Sequence, residues 1–114
     1  MYALKNKVQL IGNLGHIPQT GTTEKGKKWA RFSIATHDNY RGTNGEKVNQ
    51  TYWHNIVAWG KLAEIAEKYL TKGSEVAVEG KLVYRNYTDK NGVQRQSTDV
   101  LVSELLMLGS KNQE

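Results

Sequence analysis

The 114-residue sequence has no cysteine, one proline, one phenylalanine and no long apolar run. Without cysteine there are no disulfide staples, thiol nucleophiles or thiolate metal sites, which fits a reducing intracellular compartment. The longest apolar stretch falls far short of the roughly 18 residues that a bilayer-spanning helix needs. The opening residues, Met1 to Lys7, run straight into strand pattern without the apolar core of a signal peptide. A soluble protein of the cytoplasm is expected. No internal repeat or low-complexity run appears, and the length suits one domain, over residues 1–109, with a short remnant at 110–114.

Catalytic signatures are also missing. There is no nucleophile elbow, phosphate loop or zinc spacing, and the glycines sit at turns. His16, His37 and His54 lie too far apart for a metal site. A histidine with Glu79 or Asp99 could form the acid and base pair of a nuclease, but a solvated strand face explains those carboxylates better. No enzyme, cofactor or metal is expected. Acidic charge is the scarcer sign, with 11 Asp and Glu against 16 Lys and Arg and a net charge of +5. That surplus attracts polyanions, nucleic acid first among them.

What is present is period-two alternation. Val8, Leu10, Gly12 and Leu14 alternate in a first strand that Gly15 and Pro18 end, and a loop rich in Gly, Thr and Lys follows. In a second strand, Lys28 to Asp38, Ala30, Phe32, Ile34 and Thr36 share one face, opposite Trp29, Arg31, Ser33 and His37. Asn44-Gly45 predicts a reversal inside a loop from about Tyr40 to Asn49, so the third strand, Thr51 to Trp59, pairs antiparallel with the second. The period then changes. Leu62, Ile65, Ala66, Tyr69 and Leu70 predict a helix over Lys61 to Thr71, with Gly73 as its left-handed cap. Val76, Val78, Gly80, Leu82 and Tyr84 mark the inner parity of a fourth strand, and a turn at Asp89 to Gly92 leads to a last strand over Thr98 to Leu108. Five strands with one helix between the third and fourth match the OB-fold, an all-β Greek-key barrel with one helix, whose face over strands two and three binds oligonucleotides and oligosaccharides.

Two tryptophans, Trp53 and Trp59, share the face of strand three opposite Tyr52, His54, Ile56 and Ala58. Strand four sets Lys81, Arg85 and Tyr87 together, strand two adds Arg31, and Tyr40 and Arg41 open the loop after it. Unpaired bases stack on aromatic rings for roughly 1 to 3 kcal/mol each, whatever their identity, while nearby cations take phosphates. Tryptophan also fills cores, but Tyr52, Ile56 and Ala58 already supply bulk, and Lys81 and Arg85 would be costly in a dry interior. Tyr69 and Tyr84 fit the inward pattern. Trp29, beside Lys27 and Lys28, suits a ligand, an apolar rim or a subunit contact.

These residues resemble the bacterial and organellar single-stranded DNA-binding proteins. The likeness runs from Asn6-Lys7-Val8 and Ile11-Gly12-Asn13-Leu14-Gly15 through Phe32-Ser33-Ile34-Ala35-Thr36 and Thr51-Tyr52-Trp53-His54-Asn55-Ile56-Val57. It continues through Trp59-Gly60-Lys61-Leu62-Ala63-Glu64, Tyr69 to Ser74 and Val78-Glu79-Gly80-Lys81-Leu82, covering about residues 5 to 108. The resemblance implies that Trp53, Trp59, Tyr87 and Tyr40 stack bases, with Trp59 and Tyr87 standing where members often carry Phe and Trp, and Tyr40 where Trp is common. It also implies that Lys7, Lys61, Lys72 and Arg85 meet phosphates; Arg31 rests on its strand face. His54 resembles a subunit-contact residue, and the family usually forms a homotetramer.

Family members commonly continue into a flexible linker with an acidic tip that recruits replication and repair proteins. This sequence stops at Gly109-Ser110-Lys111-Asn112-Gln113-Glu114, so either a form without that tail or a shortened piece of a longer sequence is expected. The reading is a non-enzymatic, nucleoid-associated protein that coats single strands during replication, recombination or repair. The alternative is an OB-fold accessory module of a primosome that mainly contacts other proteins.

Overall fold

A computed structural model describes residues 2–109, with side chains from Leu4 onward; the remnant at 110–114 lies outside the described residues. A 3-10 turn, Tyr2–Lys5, comes ahead of the first strand, where strand pattern was expected directly. The elements then run β1 Val8–Leu14, β2 Gln19–Thr22, β3 Lys28–Arg41, β4 Lys47–Trp59, α1 Lys61–Tyr69, β5 Glu75–Thr88 and β6 Gln94–Met107. One sheet, in the order β1-β5-β6-β4-β3-β2, closes on itself where β1 also pairs β3 at Asn13↔Ala35 and Leu14↔Ile34. Five strands thus form the expected OB-fold barrel, and β2 is a flap paired along β3. Because β2 adds a strand within the Gly, Thr and Lys loop, the helix lies between β4 and β5 while keeping its place in the chain. The flap sequence, Gln-Thr-Gly-Thr, has no apolar residue to alternate, so only backbone pairing reveals it.

Barrel closure requires β1 to leave β5 and meet β3 within a few residues. A Cβ at Gly12 would stand 2.2 Å from the Ala35 carbonyl oxygen, so the two backbones touch where only glycine fits. Inside, Leu14, Ala30, Phe32, Ile34, Ile56, Ala58, Val76, Val78, Val100 and Val102 form the core, and Ala63, Ala66 and Leu70 of the helix region close one end. Full burial of each larger aliphatic or phenyl side chain contributes about 1.5 to 3 kcal/mol. On β6, Ser103 bulges out of register, with Glu79 opposite Glu104 and Gly80 opposite Val102. The extra residue lets both Val102 and Leu105 point inward.

Several expectations change. Tyr52, Tyr69 and Tyr84 are exposed rather than buried. Pairing of β4 with β6 begins only at Asn55↔Asp99, so Tyr52 and Tyr84 lie on hairpin arms that project past the barrel, where the inner parity faces no interior. On the helix the buried stripe runs through Ala63 and Ala66, leaving Leu62 and Ile65 half-buried and Tyr69 outside. The helix ends at Tyr69, and Leu70 caps it in extended conformation. Gly73 instead serves a turn over 71–74, at φ 88°, donating its N–H to the Leu14 carbonyl at 2.9 Å. Both hairpins are longer than the alternation indicated. The first reversal is only residues 42–46, with Gly45 at φ 83° and the Asn44 side chain accepting the Glu46 N–H, and β6 starts at Gln94.

In the second reversal Asp89 organises the tip. Its Oδ1 accepts the N–H groups of Asn91 and Val93 at 2.9 Å, and its Oδ2 accepts from Arg95 at 2.8 Å. The Arg95 bond, then the Val93 amide, holds the Asp89 carboxyl below the ordinary aspartate value. The tip therefore gains from ionisation above that ordinary value and loses the gain as pH falls through the lower folded one. We expect the Asn91 and Val93 amide resonances to titrate together below the ordinary aspartate range, and Asp89→Asn to abolish the transition. Phe32→Ala should cost about 3 to 5 kcal/mol and Tyr84→Ala less than about 0.5, measured as urea midpoints at unchanged slope. Equal losses would contradict the placement of the two rings.

Candidate nucleic-acid interface

The side of β3 and β4 that turns away from the core is fixed by pairing. Cross-strand partners Trp29↔Trp59, Arg31↔Val57, Ser33↔Asn55 and Ala35↔Trp53 stand on the outer parity, while Ala30, Phe32, Ile34, Ile56 and Ala58 point in. Asn55↔Asp99 and Val57↔Leu101 carry the same face onto β6, and Lys81↔Leu101, Val83↔Asp99, Arg85↔Ser97 and Tyr87↔Arg95 carry it onto β5. The structure thus gathers Trp53, Trp59, Tyr87, Arg31, Lys81 and Arg85 on one continuous outer surface. At about 3.3 Å per residue, Trp53 and Trp59 stand roughly 20 Å apart along β4.

Each ring has its own support. Trp53 is 59% exposed, with its six-membered ring laid on Gly15, where a Cβ would come within 2.7 Å. Trp59 is half-buried, and the Lys27 ammonium lies 4.9 Å from its ring centroid. Tyr87 is exposed, with the Arg85 guanidinium 5.1 Å from its centroid. Arg85 is held in turn by Asp99 at 3.5 Å, and Asp99 accepts a 2.8 Å bond from the Ser97 hydroxyl. Asp99 is therefore not on the solvated face expected of it; it is buried beneath the surface it orients. Lys81 joins the face as its strand grouping with Arg85 and Tyr87 indicated, and Lys27 and Arg95 extend the cationic lining beyond the cations grouped on that face from sequence. The signal for Lys81 was its strand parity, and for Arg95 its position opposite Tyr87.

The remaining candidates sit around this face. Lys61 opens the helix two residues beyond Trp59. Lys72 precedes Gly73, which is bonded to Leu14 next to the Gly15 that Trp53 covers, so it flanks the other end. Lys7 pairs Glu79 at 3.7 Å beside Lys81. Tyr40 is exposed near the tip of the first hairpin, but it pairs Val48 on the parity of Tyr52 and His54, opposite Trp53. His54 is half-buried on that parity, its Nε2 2.9 Å from the Thr36 hydroxyl. Glu67 joins helix to sheet by pairing Lys28 and accepting from Thr20; the Lys28 bond holds its carboxyl below the ordinary glutamate value. Among the described residues no three His, Asp or Glu side chains gather as metal ligands, and no helix is long and apolar enough to cross a membrane.

Comparison with known proteins agrees with this geometry. The model of the single-strand binding protein family matches residues 5–108. A single-stranded DNA-binding protein of Xanthomonas axonopodis pv. citri is 45% identical over 95% of this chain and 60% of its own length. One from Neisseria meningitidis serogroup A is 43% identical over 95% of this chain and 62% of its own. The chain thus spans about three fifths of the length of these curated relatives. A solved structure described as the Plasmodium falciparum SSB complex with ssDNA superposes with a TM-score of 0.84 at 34% identity, covering 91% of this chain and 95% of the other. With the barrel, its outer aromatic row and these likenesses together, the chain belongs to the single-strand binding protein family.

Proposed function

We propose that this chain binds single-stranded DNA with little sequence preference, stacking bases on Trp53, Trp59, Tyr87 and Tyr40 and placing phosphates against Lys7, Arg31, Lys61, Lys72 and Arg85. By occupying both bases and backbone it protects exposed strands during replication, recombination and repair, as a binding protein rather than an enzyme. The observation that carries this reading is the outer row itself: large rings and cations gather on the parity opposite the core, with Trp53 and Tyr87 exposed there. Trp53 and Tyr87 offer exposed rings, and every base has a π-face, so the chemistry tolerates any sequence. A strand that wraps past the hairpin edge would bring Tyr40 into the same path.

Self-assembly belongs to the same proposal. One edge of β1 over Val8 to Gly12 has no strand partner among the described residues, and exposed Ile11, Leu106 and Met107 lie near it. The opposite parity of the first hairpin offers a second surface at Tyr52 and His54. A tetramer with two kinds of two-fold contact needs two such surfaces.

Titration with a long poly-thymidine strand should quench tryptophan emission, and Trp53→Ala should weaken binding about 5- to 150-fold, the equivalent of 1 to 3 kcal/mol. With five phosphate-binding cations, log K should fall against log salt with a slope of about −3.5. Unchanged emission at saturation would defeat the stacking reading. Sedimentation is expected to give four chains, and Ile11→Glu to give fewer. A tetramer indifferent to that change would remove β1 from the interface.

A further inference from the structure

We propose that Trp29 is a base-stacking platform in its own right, so that the track for single-stranded DNA continues past Trp59 onto the flap strand β2. The inference rests on the binding function proposed above and extends it by one nucleotide site.

Trp29 stands on the outer parity of β3, with buried Ala30 behind it, so the core does not account for the ring. Its lateral partners are Trp59 on β4 and Gly21 on β2. A Cβ at Gly21 would fall 2.6 Å from Cζ2 and 2.8 Å from Cε2 of the indole. The ring therefore rests on flap backbone, in space that any side chain would take from it. The flap has no apolar side chain to bury, being Gln-Thr-Gly-Thr, and Thr20 ties it to Glu67 of the helix. It functions as a seat for the ring.

The cations beside the ring are placed for phosphates. The Arg31 guanidinium lies 5.7 Å from the Trp29 centroid, and its Nε is buried without a hydrogen-bond partner. Arg41, Arg85 and Arg95 each have an acceptor, whereas Arg31 has none among the described residues. The Nε is enclosed, so a phosphate would meet the terminal Nη1 and Nη2, which are not enclosed and have no acceptor among the described residues. Lys27 stands at Trp59 on the other side. One ring with an open arginine and a nearby lysine matches a nucleotide: the base on the indole, its phosphates on the cations.

Trp53→Phe with Trp59→Phe leaves Trp29 as the sole tryptophan while keeping both stacking rings. The full chain carrying both changes is titrated with a long poly-thymidine strand, with binding followed independently by anisotropy of an end-labelled strand. Trp29 emission should fall in step with anisotropy. In the unaltered background Trp29→Ala should weaken binding about 5- to 150-fold and Trp29→Phe by less than about threefold. Saturating anisotropy with unchanged Trp29 emission would overturn the inference and leave the broader function standing, as would unchanged affinity in Trp29→Ala with native circular dichroism. No anisotropy change with the unaltered chain would overturn both.

Discussion

The pairing of β3 with β4 governs the molecule. From Trp29↔Trp59 to Arg41↔Lys47 the two strands stay in one unbroken antiparallel register. Strand side chains alternate with period two, so a slip of β4 by one residue against β3 would bring Trp53 and Trp59 inside and push Ile56 and Ala58 into water. Burial of those apolar residues therefore fixes the outward direction of the rings. The core thus decides which way the candidate interface faces.

Around that hairpin the other features act as supports. Gly12 lets β1 cross to β3 and close the barrel, and the bulge at Ser103 keeps Val102 and Leu105 both facing in. Gly15 and Gly21 leave room for the rings of Trp53 and Trp29. Carboxylates position the cations: Asp99 holds Arg85, and Glu79 holds Lys7. Such pairs keep long side chains near the face before any phosphate arrives, and the partly exposed ones are weak enough to exchange.

Most of the barrel was legible from sequence because Ala30, Phe32 and Ile34, Ile56 and Ala58, and Val76 and Val78 alternate cleanly. The same parity identified Trp53, Trp59, Arg85 and Tyr87 as one face. What stayed hidden has common physical causes. Tyr52 and Tyr84 continue an inward parity beyond the point where an interior exists, and alternation does not show where a barrel ends. The flap and the hairpin arms pair through backbone with polar residues on both faces, which leaves no hydrophobic period to read. Asp99 looks like any surface carboxylate until its partners Ser97 and Arg85 are placed around it. Tyr40 followed from its position at the end of strand two and from family likeness, and the register sets it on the other side of its hairpin from Trp53.

The central claim is that single-stranded DNA lies along the outer row. Photo-crosslinking of a thymidine strand carrying 5-iodouracil at successive positions, followed by peptide mapping, tests it most directly. The account predicts adducts at Trp53, Trp59 and Tyr87. Adducts confined to the exposed rings off that face, Tyr52, Tyr69 and Tyr84, would contradict it.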